Sequence, residues 1–365
     1  MTFDRRIFNF AAGPATLPAE VLQQASEEML NWRGMGCSVM EISHRSPEFM
    51  ALYEEALQDM RVLMGIPDSY AILMLQGGGI GQNAAVPMNL MPLAKNGPKA
   101  DFLVTGIWSE KSFLEAQKYG KAHLVASSKD KQFTTVPEQS TWQLSDDAAY
   151  VHYCANETIG GVEFQAVPDV GDRILVADIS SNILSRKMDV TQCGVWFAGA
   201  QKNIGPAGIT FVIVRRDLMG HQMPITPSIW DWAKEEATQS MLNTPPTFAI
   251  YLSGLVFKWL LKRGGVAEVE RINLEKSTLL YNYIDQSGLF ENRVDPRYRS
   301  RTNVTFFLKD ETLNAAFLAQ SSSAGLAALR GHKAAGGMRA SIYNAMPLEG
   351  VQTLVEFMRE FERRA

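Results

Sequence analysis

Cysteine is scarce. The 365 residues hold three, Cys37, Cys154 and Cys193, far apart and with no CxxC pair. A disulfide framework and a cysteine zinc cluster are therefore not expected, and the pattern reads as a reducing compartment without a metal site. Also missing is any uninterrupted run of about 18 apolar residues, which rules out an ordinary membrane-spanning helix. The opening stretch MTFDRRIFNF carries two arginines but no sustained apolar segment, so no secretory signal is expected and the predicted location is cytoplasmic. No repeat, low-complexity tract or strong excess of one charge stands out. Against 39 acidic side chains stand 35 basic ones, a net charge of −4, which predicts neither a nucleic-acid nor an anionic-membrane partner.

What is present is the composition of a globular protein, with 46% hydrophobic and 10% aromatic residues, and this excludes intrinsic disorder. A chain of this length buries roughly three quarters of its unfolded surface and needs no covalent staple. Two domains are expected. Punctuation by proline and glycine predicts helices from Pro18 to Gly34 and from Ser46-Pro47 to Gly65. In the second, Phe49, Leu52, Tyr53, Ala56, Leu57, Met60, Leu63 and Met64 form one stripe. Seven short apolar runs follow: AILML at 71, ADFLV at 100, AHLVA at 122, AYVHYC at 149, RILVAD at 173, VWFAGA at 195 and ITFVIV at 209. Runs without alternation suit strands buried on both faces, and their spacing suits a mostly parallel α/β sheet. Such a sheet binds ligands at the carboxyl ends of its strands. A long helix from Thr247 to the Gly-Gly at 264–265 closes this part. Beyond it, TNVTFFL and MRASIYNA read as strands among helices, and the last helix, from Pro347, places Leu348, Val351, Leu354, Val355, Met358 and Phe361 on one face.

Three features carry chemistry. In LMLQGGGIGQ, Gly77, Gly78, Gly79 and Gly81 would let backbone N–H groups meet an anion at a helix start; the segment matches neither a P-loop nor GxGxxG and reads equally as a plain turn. Asp178 ends the run RILVAD, where a parallel sheet opens its ligand crevice; by itself it reads as a helix cap. Lys202, in AGAQKNIGPAG, is hemmed by Gly199, Ala200, Gly205, Pro206 and Gly208. A lysine in a poorly hydrated loop loses its proton more readily than a surface one, as amine attack on a carbonyl requires. Phosphate cradle, carboxylate and enclosed amine are together what pyridoxal phosphate needs.

The segments FNFAAGPATLP, VMEISHRS, YVHYCANETIGG, AGAQKNIGPAG, NTPPTFAIYLSGLVFKWL and GGMRASIYNAMPLEGV span the chain in this order. In them the sequence resembles the phosphoserine aminotransferase family of class V pyridoxal-phosphate aminotransferases. The resemblance implies an α/β fold type I transferase with a mostly parallel seven-stranded sheet in a large domain, 17–262. It also implies a smaller α+β domain, 1–16 with 263–365, and a homodimer with shared active sites. The implied reaction turns 3-phosphohydroxypyruvate and glutamate into phosphoserine and 2-oxoglutarate in serine biosynthesis, with 4-phosphohydroxy-L-threonine as a further substrate in pyridoxine biosynthesis.

By the same resemblance, Lys202 bonds the aldehyde of pyridoxal phosphate, Asp178 partners its ring nitrogen and Trp108 stacks on its ring. Thr158 and Gln201 contact it, and the backbone of Gly79 and Ile80 meets its phosphate. Asn243 and Thr244 reach that phosphate from the other subunit. Arg45, beside His44, and Arg339 bind substrate carboxylate; His332 and Lys333 help receive substrate phosphate across the dimer interface, and Ala12 lies in the N-terminal substrate loop. Departures stand at Gln76, Ile80, Lys333 and Ala12, where many relatives carry His, Arg, Arg and Ser, and Ile80 removes a side-chain phosphate contact. Two other readings are a class V cysteine desulfurase, for which no cysteine has the expected loop context, and a phosphate-binding module without catalysis.

Overall fold

The computed structural model describes residues 7–365; the first six, part of the segment 1–16 assigned by sequence to the small domain, lie outside the described residues. Strand β1 (Phe8–Asn9) precedes helices α1 (Ala19–Glu27) and α2 (Pro47–Met64). Next come β2 (Tyr70–Leu75), α3 (Gly78–Leu90), β3 (Lys99–Val104), α4 (Ile107–Ala116), β4 (Lys121–Ser127) and β5 (Val151–Cys154). A small hairpin, β6 (Asn156–Glu157) with β7 (Val162–Glu163), leads to β8 (Leu175–Asp178), β9 (Val195–Gly199) and β10 (Thr210–Arg215).

The seven predicted apolar runs are the seven strands of one sheet, ordered β2-β10-β9-β8-β5-β3-β4. All neighbours are parallel except β10, which runs antiparallel to both β2 and β9. The absence of alternation has a direct cause: both faces are packed. Ile72, Met74, Tyr153, Leu175, Ala177 and Trp196 face a core shared with α2 and with α6 (Thr247–Lys262). Leu73, Leu75, Phe102, Val176 and Phe197 face a second core with Ala84, Val86 and Met88 of α3.

Helix α2 keeps its predicted ends: Ser46 Oγ accepts the Phe49 N–H at 3.3 Å, and Gly65 closes it in the left-handed conformation, φ 65°. The helix expected over 18–34 is shorter. It stops at Glu27, and Trp32–Gly34 form a separate 3₁₀ turn with Arg33 at φ 50°. Burial of Trp32, whose N–H donates to the Cys37 carbonyl at 2.9 Å, overrides local helix preference.

After α5 (Trp232–Ala237) and α6, the long α7 (Gly265–Gln286) gives Val266 and Val269 to the α2/α6 core and Leu280 and Ile284 to a third one. That third core surrounds the antiparallel strands β11 (Phe290–Glu291), β12 (Asn303–Leu308) and β14 (Met338–Ser341). Helices α8 (Asn314–Ser323) and α9 (Leu348–Arg364) complete it, and β13 (Leu326–Ala327) pairs in parallel with β1, so Phe10 joins the same core.

Candidate active site

The crevice lies at the carboxyl ends of β5, β8 and β9. Asp178 is the last residue of β8, paired with Cys154 of β5, and its Oδ1 accepts the Ser180 N–H at 2.8 Å. That bond leaves Oδ2 for another partner. Helix α3 enters from the adjoining face: a Cβ at Gly79 would sit 3.9 Å from Asp178 Oδ2 and 3.7 Å from Ser180 Oγ. Gly77 and Gly78 turn the chain into α3 at φ 100° and 66°, a conformation that side chains resist. The first helical hydrogen bond is Gly81 N–H to the Gly77 carbonyl, 3.0 Å, so the Gly78, Gly79 and Ile80 N–H groups have no helical acceptor. A helix start with three free N–H groups is an anion cradle. Ile80 adds no charge to it, and its side chain is exposed.

Lys202 follows β9 in a loop pinned from several sides. Ala15 N–H donates to the Gln201 carbonyl at 2.8 Å, and Asn203 Oδ1 accepts the Asn344 N–H at 2.9 Å. Gly205 packs so closely on α6 that a Cβ there would fall 2.2 Å from Ser253 Oγ. Lys202 Nζ donates to Thr158 Oγ1 at 2.8 Å and stands 5.1 Å from the Trp108 ring centroid. Desolvation in this crevice pulls the amine below its usual range, against the opposing pull of Asp178, Cys154 and Glu157, and Arg339 reinforces the lowering.

Arg339 meets the same threonine from β14: Nη1 donates to the Thr158 carbonyl at 3.3 Å, whereas Nε is buried with no acceptor. No carboxylate pairs with this guanidinium among the described residues, and burial lowers its pKa. Ala12 is close by, its carbonyl accepting the Tyr343 hydroxyl at 2.8 Å. Gln201 lies over the last residue of β9, with its Oε1 2.7 Å from where a Cβ of Gly199 would be.

Glu157 is the site residue that the sequence reading missed. Fully buried, it caps α4 from below: Oε2 accepts the Trp108 N–H at 3.0 Å, and Oε1 accepts the Ser109 N–H at 2.9 Å and the Ser109 hydroxyl at 2.6 Å. Burial raises its pKa while these donors lower it. Gly106 makes the approach possible, since a Cβ there would lie 2.3 Å from Glu157 Cδ. The signal available was its neighbour Thr158, one residue along in NETIGG.

Thus Asp178, Gly79, Trp108, Thr158, Gln201, Lys202, Ala12 and Arg339 converge. His332 stands toward them, its protonation disfavoured by burial and by Arg339, Lys333 and Lys111. Lys333 is exposed. Other predicted residues make no hydrogen bond to Asp178, Lys202 or Arg339 among the described residues. Arg45 Nε donates to His44 Nε2 at 3.3 Å in the loop before α2, and Arg45 is exposed. Asn243 and Thr244 are exposed, and Asn243 Nδ2 reaches Gln76 Oε1 at 3.5 Å.

The sequence pattern of the family described as aminotransferase class-V matches residues 7–354. A phosphoserine aminotransferase of Ralstonia nicotianae is 57% identical over 364 residues, covering 99% of this chain and 96% of that protein. Among solved structures, the phosphoserine aminotransferase from Bacillus circulans subsp. alkalophilus superposes with TM-score 0.95 at 43% identity, covering 98% of this chain and 99% of that one. The pyridoxal-phosphate-bound phosphoserine aminotransferase from Trichomonas vaginalis superposes with TM-score 0.91 at 40% identity, covering 97% and 100%.

Proposed function

The chain belongs to the class V aminotransferase family and is a pyridoxal-phosphate-dependent enzyme, and from that premise we propose that it exchanges an amino group between phosphoserine and 2-oxoglutarate. In the biosynthetic direction, glutamate and 3-phosphohydroxypyruvate are the substrates. One observation carries the substrate reading: a guanidinium without a carboxylate partner and an amine of lowered basicity both meet Thr158, 3.3 and 2.8 Å away. An α-amino acid brings a carboxylate for the first and an amine for the position of the second.

The residues suit the cofactor. Its phosphate would lie on the free N–H groups of Gly78, Gly79 and Ile80, and its ring nitrogen would take Asp178 Oδ2, which has no other hydrogen-bond donor among the described residues. Trp108 would lie against its ring, Thr158 and Gln201 at its edges, and Lys202 at its aldehyde. When bound, pyridoxal phosphate supplies an electron sink for the carbanion formed at the substrate Cα. The protein's part is to hold, orient and move protons. Arg339 fixes the substrate carboxylate by a planar fork, turning the Cα hydrogen toward Lys202. The lowered basicity of Lys202 favours the neutral amine, the form that can take a proton from the substrate Cα. Asp178, at the strand end, would hold a proton on the ring nitrogen.

Two identical chains would complete each site. Arg45, Asn243 and Thr244 stand exposed, His44 is half-buried, and none of the four hydrogen-bonds to Asp178, Lys202 or Arg339 among the described residues, which supports their service to a partner's site. His332 and Lys333 would receive substrate phosphate. The same phosphate contacts would admit 4-phosphohydroxy-L-threonine, a longer phosphorylated amino acid. We place the division of domains at 17–262 and at 1–16 with 263–365. No helix among the described residues is long and apolar enough to cross a membrane, and we assign the enzyme to the cytoplasm.

Assay of the purified enzyme with 2-oxoglutarate and phosphoserine, beside serine and alanine, tests this reading. Two charge-assisted hydrogen bonds to a phosphate, each about 1.5–3 kcal/mol, predict a preference of about a hundredfold or more in kcat/KM. Equal use of serine or alanine would overturn it.

A further inference from the structure

Helix α4 carries a lysine whose surroundings differ from those of its neighbours. Lys111, one turn beyond Trp108, holds its ammonium 4.6 Å from the Trp108 ring centroid. Lys118 and Lys129 are neutralised, by Glu115 and Glu110, both at 2.7 Å. Glu115, at i+4, is the acid of α4 best placed for Lys111, and it also accepts the Tyr119 hydroxyl at 3.2 Å. Lys111 has no ion pair among the described residues. Its charge, like those of Arg339 and Lys333, is felt at His332, where burial and these charges together disfavour protonation. Four basic groups without a paired acid form a site for an anion of more than one charge. The cradle at α3 cannot supply this need through a side chain, because Ile80 is apolar.

From this arrangement we infer that Lys111 binds the phosphate of the substrate and so helps set the preference for phosphorylated amino acids. The assignment rests on the substrate reading above. Its geometry is consistent with reach. Lys111 and Lys202 lie 4.6 and 5.1 Å from one ring centroid, so their ammonium groups are at most about 10 Å apart. From amine nitrogen to phosphorus, phosphoserine extends roughly 5 Å by standard bond lengths, and a charge-assisted hydrogen bond adds about 3 Å. A substrate whose amine takes the place of the Lys202 amine thus spans about 8 Å of a separation of at most about 10 Å, and rotation of the flexible Lys111 stem has to close the rest. Glutamate, with no phosphate, draws less on that cation.

The test compares the holoenzyme with Lys111→Ala and Lys111→Arg in the two half-reactions, phosphoserine or glutamate as amino donor. Lys111→Ala should raise KM for phosphoserine at least about tenfold more than KM for glutamate, and Lys111→Arg should restore most of the difference. Phosphoserine binding to Lys202→Ala protein, followed by tryptophan fluorescence, should weaken by a similar factor when Lys111 is also alanine. Equal shifts in both KM values, or a tenfold loss of cofactor affinity alone, would overturn the assignment, since they mark a packing or cofactor role. A parent enzyme that ignores phosphoserine overturns the substrate reading and this assignment together. A parent that uses it, with a Lys111→Ala variant that discriminates equally well, overturns the assignment alone.

Discussion

Glu157 offers the most exacting test of how the site is held. Its two oxygens accept three hydrogen bonds, and all three donors belong to Trp108 and Ser109. Glutamine is nearly the same shape but has one acceptor oxygen. If that oxygen keeps the two Ser109 donors, the amide NH₂ is left facing the Trp108 N–H, donor against donor. One charge-assisted bond is lost, about 1.5–3 kcal/mol, and relief of a buried charge returns part of it. Alanine removes every acceptor and leaves a void, for about 4 kcal/mol. With an unfolding entropy of about 2.1 cal/mol/K per residue, 365 residues give a Tm change of about 1.3 °C per kcal/mol. In melts of the apoprotein, Glu157→Gln should therefore lower Tm by about 2 °C and Glu157→Ala by about 5 °C. Because the bond lost to glutamine is the one that orients Trp108, cofactor affinity should fall up to about tenfold, the worth of one aromatic stack. Gly106→Ala attacks the same contact from the other side. Its backbone is extended, so any cost comes from collision with Glu157 and not from strain. It should reproduce both losses. Unchanged Tm and unchanged cofactor affinity in Glu157→Gln would refute the claim that this carboxylate positions the indole.

Three further outcomes are expected. Asp178→Asn can still accept the Ser180 N–H, so the fold should survive while kcat falls by about a hundredfold or more; a loss of only a few-fold would remove Asp178 from the ring nitrogen. Burial pulls His152 down to about 3, whereas the unfolded chain binds that proton near 6.5, so stability is whole above pH ~6.5 and falls as pH drops toward 3, by about 2 kcal/mol at pH 5. His152→Phe, between Phe102 and Phe197, should flatten this acid limb in denaturant titrations, and an identical slope would refute the assignment. Finally, mixing Lys202→Ala chains with chains altered at both Asn243 and Thr244 should restore activity, since each mixed dimer holds one intact site; no recovery after verified subunit exchange would mean that sites form within single chains.

The large sheet was legible because burial on both faces leaves a direct trace, a run of apolar residues without alternation. The order of its strands was not: nothing local in ITFVIV says that β10 lies antiparallel between β2 and β9. Helix α2 announced itself through Ser46-Pro47 and Gly65, whereas the helix expected to Gly34 broke where Trp32 turned into the core, a tertiary effect with no local mark. In the site, residues set among glycines were readable, since small neighbours leave few candidates. Glu157 and Arg339 were not readable from chemistry alone. The importance of the first lies in donors half a hundred residues earlier, and the second came only through resemblance to a family. Arg339 becomes distinctive when the fold brings it to Thr158, 181 residues away, with no carboxylate to quiet it.

The joining of the two chain ends also bears on how the protein is made. The segment around Ala12 lies against the Lys202 loop, yet its carbonyl is tied to Tyr343, 331 residues later, and among the described residues β1 has only β13 for a partner. On a ribosome, the segment around Ala12 must wait for Tyr343, made 331 residues later. The large sheet can close beforehand from contacts of its own, but the small domain and the wall of the crevice formed by Ala12 and Arg339 cannot. A growing chain thus carries a folded sheet before the site is walled, and cofactor retention becomes a late event, set by the arrival of Arg339 and Tyr343 rather than by formation of the large β-sheet.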